Sequence, residues 1–519
     1  MNKLFLLGLI LSMGFVAKAQ TPTWADDVAP ILYANCTKCH HSGGLAPFSL
    51  MADTDAVNNA STILYAVPNR IMPPWPPDPS FRRYAHERLL SQNDINTIVN
   101  WVNNGTPIGN LANAPTPPTY VSGSQLGTAP NLTTTIPTYT SAAVSSDDYR
   151  CFVIPSNLLS AKNMTALEVL PGNPAIVHHV LVYYDTTGAC AALQASSGGV
   201  GYPGSGGVGT NAAKLLGGWV PGQGIGYYPT GFGTRIPANA DIVIQIHYPT
   251  GSNGQTDNTQ VNFLLTSNAV RQVYLDPILN HFTDMTDGPL IIPANQIKTF
   301  HEAYQMPAIN ITLLSCLAHM HLIGTTIKSY AVTPAPLYDT IPFINIPDWD
   351  FHWQGFYTFR NLLKIPANSW IYAEATYDNT SANPENPNSP PQLVIAGENT
   401  TDEMMICYFG YTIYFPGDEN IVTDTAALVD LTGNTGFANE HAEISFGINP
   451  NPALDYLTIN FPTALKNDAI IRVYNLEGKL VLAVPAALQL LSQQINIANL
   501  ESGIYFVKVG NQTKKFVKN

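Results

Sequence analysis

Short strand-like segments fill residues 136–440 and constrain the fold more than any other feature of this sequence. Runs of alternating apolar and polar residues, such as Ile242–Tyr248 and Ile311–Leu322, are separated by turn residues. In a strand, this alternation places every second side chain on the same face of a sheet. The 41 Pro and 38 Gly of the chain suit many short strands joined by turns. The pattern predicts a mainly β fold, with enough length here for two β-sandwiches.

The rest of the 519-residue chain divides by composition. Residues 20–112 include a segment, Asp94–Asn103, whose apolar residues have helical spacing, so a small α-helical domain is predicted there. Residues 113–135 are rich in Pro, Thr, Gly and Asn and are interpreted as a linker. Residues 443–519 contain three regular strand segments and predict a separate small β-sandwich.

The N-terminus predicts export. Lys3 precedes an apolar run over residues 4–16, and Ala17-Lys18-Ala19 has the form of a cleavage site, so residues 1–19 are interpreted as a signal peptide. No later stretch is apolar and long enough for a transmembrane helix. The net charge of −13 argues against a nucleic-acid partner. We therefore expect a secreted or cell-surface protein in an oxidising compartment, where disulfides are permitted.

A C-x-x-C-H motif lies at residues 36–40. Two thiols at this spacing can form thioethers with a haem, and the adjacent histidine can then reach the iron. Cys36, Cys39 and His40 are thus predicted to hold one c-type haem, and the segment 24–101 loosely resembles small cytochrome c domains. Met72 is the preferred sixth ligand, with Met51 and His86 as rivals. A Cys36–Cys39 disulfide or half of a zinc site is the alternative, although no second cysteine pair completes a zinc site.

The central region concentrates histidines. His178 and His179 are adjacent, and they can share one metal ion only at a strand end or a bulge. His319 and His321 are alternate residues, which a strand places on one face. Imidazole suits copper or zinc, and a thioether such as that of Met404 favours copper. Each histidine taken singly has an ordinary structural explanation, but the set predicts metal ligands, with His247 completing a three-histidine site.

These segments resemble the copper type II, ascorbate-dependent monooxygenases, the family of peptidylglycine α-hydroxylating and dopamine β-monooxygenases. The resemblance runs in order through the YRCF, HH, GGWVPG, QIHYPTG, AHMHLIG, YDNTSANPENP and TDEM segments and covers roughly residues 136–437. It implies two tandem jelly-roll β-sandwiches, residues 136–290 and 291–437. It also implies one copper ion on His178, His179 and His247 and a second on His319, His321 and Met404.

The resemblance implies a reaction as well. Oxygen binding and hydrogen abstraction are expected at the His₂Met copper, and storage of the second electron at the His₃ copper. The product is a hydroxylated carbon, with ascorbate as a possible reductant. His319, His321, Met404 and the retained Tyr408 are expected to be catalytic.

Two family residues are replaced in this chain. The peptide-amidating members place an Arg at the position of Leu317, where it holds a substrate carboxylate, and an Asn at the position of Ile406. Loss of the Arg removes a bidentate carboxylate clamp. The expected substrate is therefore a small molecule or another organic compound that is apolar or uncharged. A glycine-extended peptide is not expected.

The other four cysteines predict two disulfides. Cys151 and Cys190 bracket the HH strand, as a bridge does in the resembled family. Cys316 and Cys407 are the remaining pair. The family has its cysteine directly after the Met, where this chain has Met405. Free buried thiols are the alternative.

Residues 443–519 resemble the C-terminal sorting domain of the type IX secretion system, through NPNPALDYLTI, VYNLEGKLV, LESGIYFVKV and a closing KKFVK. This implies the secretion machinery as a partner. The fused haem motif suggests that the haem, or a donor protein acting through it, supplies electrons to the coppers. The competing hypothesis is an exported haem and copper electron-transfer or copper-handling protein without hydroxylase activity.

Overall fold

The structure is a computed structural model, and it describes residues 21–120, 123–204, 207–432, 446–461, 470–475, 480–485, 491–509 and 512–519. The predicted signal peptide at 1–19 lies outside these residues. The chain divides into two compact units between Gly433 and Asn434, and each is described by itself.

The N-terminal part of the first unit is helical, as predicted. Ser91 caps its longest helix by accepting a hydrogen bond from the Asp94 amide, and Ile95, Ile98 and Trp101 bury one face of that helix. None of the helices in the described part of the chain has the length and apolarity that a membrane crossing requires. The helical elements are a π-helical turn at Trp24–Val28, α1 Ala29–Asn35, α2 Asp53–Asn58, α3 Ala60–Ala66, α4 Gln92–Asn103 and a 3₁₀ turn at Leu111–Asn113.

Two sheets form the first β-sandwich. One has the strand order β1-β12-β4-β9-β13, with β8 also paired to β4, and the other has the order β6-β3-β10-β5-β7. A helix, α5 Ala189–Ser197, follows β5. The strands are β1 Leu132–Thr135, β2 Tyr139–Thr140, β3 Asp148–Pro155, β4 Lys162–Leu170, β5 His179–Asp185, β6 Tyr202–Pro203, β7 Lys214–Trp219, β8 Gly226–Tyr227, β9 Phe232–Ile236, β10 Asp241–Tyr248, β11 Thr256–Asp257, β12 Gln260–Thr266 and β13 Arg271–Gln272.

Two four-stranded sheets form the second β-sandwich, in the orders β14-β23-β17-β20 and β16-β21-β18-β19. A 3₁₀ turn at Asp418–Asn420 follows the last strand. The strands are β14 Tyr274–Asn280, β15 Ile291–Ile292, β16 Gln296–Gln305, β17 Ile311–His319, β18 Gly324–Val332, β19 Thr340–Ile346, β20 Tyr357–Ile365, β21 Trp370–Asn379, β22 Val394–Ile395 and β23 Ile406–Ile413. The predicted fold class, mainly β with tandem sandwiches after a small helical region, is confirmed.

Strand pairing moves two predicted boundaries. Strand β14 pairs with β23, so the second sandwich begins near Tyr274 and not at 291. Strand β1 pairs with β12, so the last residues of the predicted 113–135 linker belong to the first sandwich. The first was missed because pairing partners are not visible in a single sequence, and the second because a four-residue strand beside turn residues resembles a loop.

The helical part packs directly on the second sandwich. Tyr84 pairs with Phe359 as an isolated β-bridge, donates its hydroxyl to the Phe343 carbonyl and is only 1% exposed. The Trp75 ring meets the Tyr357 ring edge-on at 5.3 Å. The helical part is therefore joined to the sandwich core by buried aromatic side chains.

The second unit is a small β-sandwich around a core that includes Leu457, Ile459 and Val507. Its two sheets have the orders β24-β25-β28 and β27-β26-β29-β30. The strands are β24 Gly447–Asn449, β25 Tyr456–Asn460, β26 Ile470–Asn475, β27 Leu480–Pro485, β28 Ser492–Asn496, β29 Gly503–Val509 and β30 Gln512–Lys518.

An ion pair joins the two large sandwiches. Arg271, at the end of the first, donates two hydrogen bonds to the carboxylate of Asp418, at 2.5 and 2.7 Å. The guanidinium also lies between the Phe232 and Phe415 rings, at 4.5 and 4.4 Å. Burial alone would raise the pKa of Asp418, but the hydrogen bonds from Arg271 and neighbouring donors lower it to about 2.

Replacing Asp418 with Asn is expected to destabilise the first unit by about 2–4 kcal/mol, because it leaves a partly buried guanidinium unpaired. The stabilisation by Asp418 is present above its unfolded pKa of about 4 and is lost as pH falls through about 2. Urea unfolding of D418N at pH 7 and near pH 2 measures both effects. D287N is the control, because Asp287 pairs with the exposed His301 and its loss costs less than about 1 kcal/mol.

Candidate copper centres

The first histidine cluster lies at the meeting point of two neighbouring strands. His179 is the first residue of β5 and pairs with His247 in β10, and the His178 amide donates to the His247 carbonyl at 2.9 Å. One ring nitrogen from each of the three histidines lies within 4.8 Å of the others. The strand end thus lets the adjacent His178 and His179 face one point, as a shared metal ion would require.

The cluster has the chemistry of a ligand set. Burial, followed by repulsion from neighbouring histidines, lowers the pKa of His178 to about 3 and that of His179 well below its usual value. Both imidazoles are therefore neutral at pH 7, which is the form that binds metal ions. His178 Nε2 and His247 Nδ1 are buried without a hydrogen-bond partner in the described part of the chain. His178 Nδ1 and His179 Nδ1 are 3.3 Å apart, so the imidazoles converge, and one copper ion could bind a nitrogen of each of the three histidines.

Asp147 supports this cluster and was missed in the sequence. One of its carboxylate oxygens lies 3.1 Å from His247 Nε2. The other accepts hydrogen bonds from the amide and hydroxyl of Thr250. These partners outweigh burial and hold the pKa of Asp147 well below its usual range. A carboxylate on the outer nitrogen fixes the ring and leaves Nδ1 to the metal. Asp147 lies two residues before Tyr149, the first residue of the YRCF segment, and this position was the only sign of its role in the sequence.

The second site lies where β17 and β23 meet. His319 ends β17 and pairs with Ile406, two residues after Met404, while His321 follows the strand. The His319 and His321 rings are 5.1 Å apart. Strand pairing therefore brings the H-x-H segment and the Met404 segment, 83 residues apart in sequence, to one end of the sheet.

Each of these histidines is oriented through Nδ1. His319 Nδ1 lies 2.5 Å from Gln354 Oε1, and His321 Nδ1 lies 3.1 Å from the Asp402 carbonyl. Burial is the main cause that lowers the pKa of His319 to about 4 and of His321 to about 3. Both Nε2 atoms belong to neutral rings and can serve as metal ligands.

Glu403 ties the two ligand segments together. Its buried carboxylate accepts hydrogen bonds from the amides of His321 at 2.9 Å, Ile323 at 2.8 Å and Met404 at 3.2 Å. No role was predicted for Glu403 from the sequence, although it stands next to Met404 in the TDEM segment. Because it holds backbone on both sides of the site, Glu403 sets the separation of His321 and Met404.

Phe351 lies between the two sites. Its ring stacks on His178 of the first sandwich, at 4.9 Å with 17° between the planes. It also meets His321 of the second sandwich edge-on at 6.0 Å. Thr400 of the second sandwich further donates its hydroxyl to Asp147 of the first. The two candidate sites therefore face each other across one aromatic ring.

Tyr408 and Leu317 are cross-strand partners close to the second site. Burial raises the pKa of Tyr408 to about 12, with a further increase from the negative charge of Glu398. The phenol is therefore protonated at pH 7 and available as a hydrogen-bond donor. Leu317 is buried, so the position of the family's arginine is apolar here.

The C-x-x-C-H segment follows α1. His40 Nδ1 lies 3.0 Å from the Phe48 carbonyl, which leaves Nε2 outside this contact. Burial lowers the pKa of His40 and raises the pKa of Cys36 to about 12. A neutral imidazole held through Nδ1 and two unpaired thiols fit the requirements of a c-type haem.

The three candidates for the sixth haem ligand have different environments. Met72 lines a groove of about 350 Å³ together with Trp75, Arg88 and Trp353. His86 is 81% exposed, and its ring lies 3.8 Å from Asp424. The Met51 backbone is held by Tyr33 and Ser49. Of the three, Met72 is the one that lines this groove.

The structure does not support the predicted disulfides, because all six cysteines are free thiols. Cys316 lies opposite Phe409, and Cys407 opposite Ala318. Such diagonal neighbours are about 7–8 Å apart, beyond the reach of a disulfide.

The other predicted pair is also unbridged. Cys151 and Cys190 share one apolar cluster, but their thiols contact different carbonyls, those of Gly207 and Val208. The sequence correctly predicted that Cys151 and Cys190 lie close together, but the two thiols are not bonded.

Comparison with known families decides the class of the second sandwich. Residues 284–425 match the model described as "Copper type II ascorbate-dependent monooxygenase, C-terminal domain". The second sandwich is therefore similar to the C-terminal domain of this family. The match includes His319, His321 and Met404, so the resemblance noted in the sequence is confirmed, and copper and ascorbate are the cofactors that the copper monooxygenase family implies.

Residues 447–519 match the "Secretion system C-terminal sorting domain". The chain is thus exported through type IX secretion, to the cell surface or the medium. His441, given no role in the sequence, falls outside the described residues.

No curated protein sequence matches the chain. Among solved structures, similar ones include the adhesin domain of Epf from Streptococcus pyogenes, with 9% identity over 43% of this chain and 71% of that one, at a TM-score of 0.12. Bacteroides uniformis β-glucuronidase 3 has 13% identity over 42% and 27%, at 0.13, and the BSP domain of a biofilm associated protein has 9% over 77% and 84%, at 0.15. These scores are too low to support conclusions about fold or function.

Replacing Glu403 with Gln is expected to weaken copper binding at the second site roughly tenfold or more, because its amide group would meet backbone N–H donors. Replacing Asp147 with Asn should weaken the first site instead. Copper stoichiometry during titration with a chelator measures both, and each variant serves as the control for the other. Equal loss of both coppers in either variant would contradict the assignment of one carboxylate to each site.

Proposed function

We propose that the chain is an exported copper-dependent monooxygenase that hydroxylates a C–H bond of an organic substrate with O₂. The observation that carries this proposal is the pairing of two buried ligand sets, one of three imidazoles and one of two imidazoles beside Met404, on facing ends of adjoining sandwiches. The family of the second sandwich supports it.

The reaction consumes a C–H bond, O₂, two electrons and two protons, and yields an alcohol and water. Copper at both sites would supply one-electron redox chemistry and activation of O₂. Burial keeps His178, His179, His319 and His321 neutral. Asp147 lies against the His247 ring, and Gln354 and the Asp402 carbonyl orient the rings of the second site.

Substrate recognition falls to the surface beside the second site. Tyr408, protonated at pH 7, can donate a hydrogen bond to a substrate oxygen or nitrogen. Leu317 supplies an apolar contact where a carboxylate clamp would otherwise lie. The chain should therefore prefer an apolar or uncharged substrate to one with a carboxylate.

The helical part is proposed to carry one c-type haem. Cys36 and Cys39 would form the thioethers, His40 would bind the iron through Nε2, and Met72 would be the sixth ligand. The Phe48 carbonyl holds the His40 ring, and the groove beside Met72 offers space next to the second sandwich. A thioether ligand raises the haem potential and suits electron transfer.

The decisive experiment is metal analysis of the exported protein, followed by O₂ uptake with a panel of substrates under ascorbate. We expect two coppers and one haem per chain, and uptake that depends on substrate. M404A should abolish that uptake. M405L should retain it, because Met405 is a buried neighbour of the proposed ligand and Leu has a volume similar to that of Met. Two coppers without substrate-dependent uptake would favour the electron-transfer or copper-handling alternative.

Changing Met72 to Leu tests the haem assignment. We expect the haem to stay covalently attached while its potential falls, because the iron loses a thioether ligand. Redox titration of the haem absorbance measures the potential. M51L should leave it unchanged, and a lower potential in M51L in place of M72L would overturn the choice of Met72.

A further inference from the structure

His247 is held on two sides by residues of its own sandwich. The Tyr149 ring stacks on the His247 ring at 4.2 Å, with 7° between the planes. One oxygen of the Asp147 carboxylate lies 3.1 Å from His247 Nε2, at the edge of the ring. Because the His247 side chain is only 1% exposed, these two neighbours restrict how its ring can turn.

The two carboxylate oxygens of Asp147 have different partners. Oδ1 accepts hydrogen bonds from the amide and the hydroxyl of Thr250, both at 2.8 Å, so it is held from within the first sandwich. Oδ2 is the oxygen beside His247, and it accepts a hydrogen bond from the Thr400 hydroxyl. Thr400 belongs to the second sandwich. The oxygen that faces the proposed ligand is therefore held from across the boundary between the two sandwiches.

Thr400 also contacts the other residue that holds His247. The Tyr149 hydroxyl forms a hydrogen bond with the Thr400 side chain. A threonine hydroxyl has one proton to donate and two lone pairs that accept. With its proton donated to Asp147, the Thr400 oxygen can still accept from Tyr149. One hydroxyl of the second sandwich thus joins the residue at the face of the His247 ring to the residue at its edge.

A tight turn fixes the place of Thr400. Residues 399–402 close through a hydrogen bond from the Asp402 amide to the Asn399 carbonyl at 2.8 Å. The Asp402 carboxylate also accepts hydrogen bonds from the amide and the side-chain nitrogen of Asn399, at 3.1 and 2.7 Å. Thr400 and Thr401 are the two central residues of this turn. The Thr400 hydroxyl therefore projects from a restrained backbone.

We propose that Thr400 is a positioning residue for the first candidate copper site, where its hydroxyl holds the Asp147 carboxylate against His247 Nε2. The inference rests on the copper site of the proposed function. A carboxylate fixed at Nε2 keeps the proton of the neutral imidazole on that nitrogen, so Nδ1 retains the lone pair that binds a metal ion. The three-histidine site of the first sandwich is thus completed by a residue of the second.

The first measurement needs no copper. In the full, metal-free chain with isotope-labelled histidines, the nuclear resonances of the His247 ring nitrogens report which nitrogen bears the proton of the neutral imidazole, and H247Q identifies these signals. We expect the proton on Nε2 in the unmodified chain and in T400S, which keeps the hydroxyl. T400V and T400A should give a mixture of both tautomers, because Asp147 Oδ2 loses the hydrogen bond from the second sandwich.

The second measurement is the copper(II) affinity of the first site, by competition with a chelator. H319A removes one imidazole from the second site, so the three-histidine site dominates binding in that background. Adding T400V or T400A should weaken binding about tenfold, because the carboxylate that orients His247 is no longer held. Adding T400S should leave the affinity close to that of H319A alone. The use of two variants without the hydroxyl covers the case in which one of them folds poorly.

T401V is the matched control in the same turn. Thr401 is exposed, so the loss of its hydroxyl should change neither the His247 signals nor the copper affinity. The urea midpoint of every variant is measured first, and only chains that unfold at the midpoint of the unmodified protein are compared. This separates a misplaced carboxylate from a general loss of structure.

The outcomes separate the inference from the proposed function. If T400V and T400A keep the proton on Nε2 and the full copper affinity, the inference is overturned and the proposed function stands. Equal losses in T400V and T400S, or in T400V and T401V, would also overturn it, because they would assign the effect to packing of the turn and not to the hydroxyl. A first site that binds no copper in any chain would remove that part of the proposed function, while the ring nitrogen signals would still decide the role of Thr400.

Discussion

Antiparallel strand pairing decides where the proposed copper ligands lie. His179 and His247 are far apart in sequence but are direct partners between β5 and β10. In the second sandwich, the pairing of β17 with β23 sets His319 two residues from Met404 in register. A shift of one residue in either pair would turn a ligand to the opposite face of its sheet. The backbone hydrogen bonds of these two pairs are therefore a precondition for both centres.

The carboxylates of Asp147 and Glu403 further fix the positions of the proposed ligands. Asp147 acts on a side chain, since it lies at the outer nitrogen of His247, whereas Glu403 acts on backbone amides on both sides of the second site. The difference matches the local structure. His247 lies within a regular strand, whereas His321 and Met404 lie just outside strands and need an additional restraint. Hydrogen bonds outweigh burial at Asp147 and keep its pKa low, whereas burial is the larger effect at Glu403 and raises the pKa of that carboxyl to about 8.

Much of this arrangement could be predicted from the sequence, because alternation and H-x-H spacing are local properties. The mainly β class, the strand around His247 and the helix around Trp101 all follow from periodicity. The strand at Tyr274 was assigned to the wrong sandwich, because pairing partners are not visible in a single sequence. Asp147, Glu403 and Phe351 were missed for the same reason: each acts through residues distant in the chain. The predicted Cys316–Cys407 bridge was wrong because the two cysteines are not direct partners in the register between β17 and β23. That register cannot be read from the alternation of side chains along each strand.

Because of Tyr84, the helical part is not a separately folded module attached to the second sandwich. Its ring is part of the second sandwich's hydrophobic core, in contact with Phe359 and Tyr357. A proline-rich stretch after residue 112 suggests a linker between independent domains. The helical part and the second sandwich nevertheless share one hydrophobic core. Separating them would expose aromatic surface on both. Exchanging the front portion for another domain would therefore require rebuilding the sandwich core around Tyr357 and Phe359.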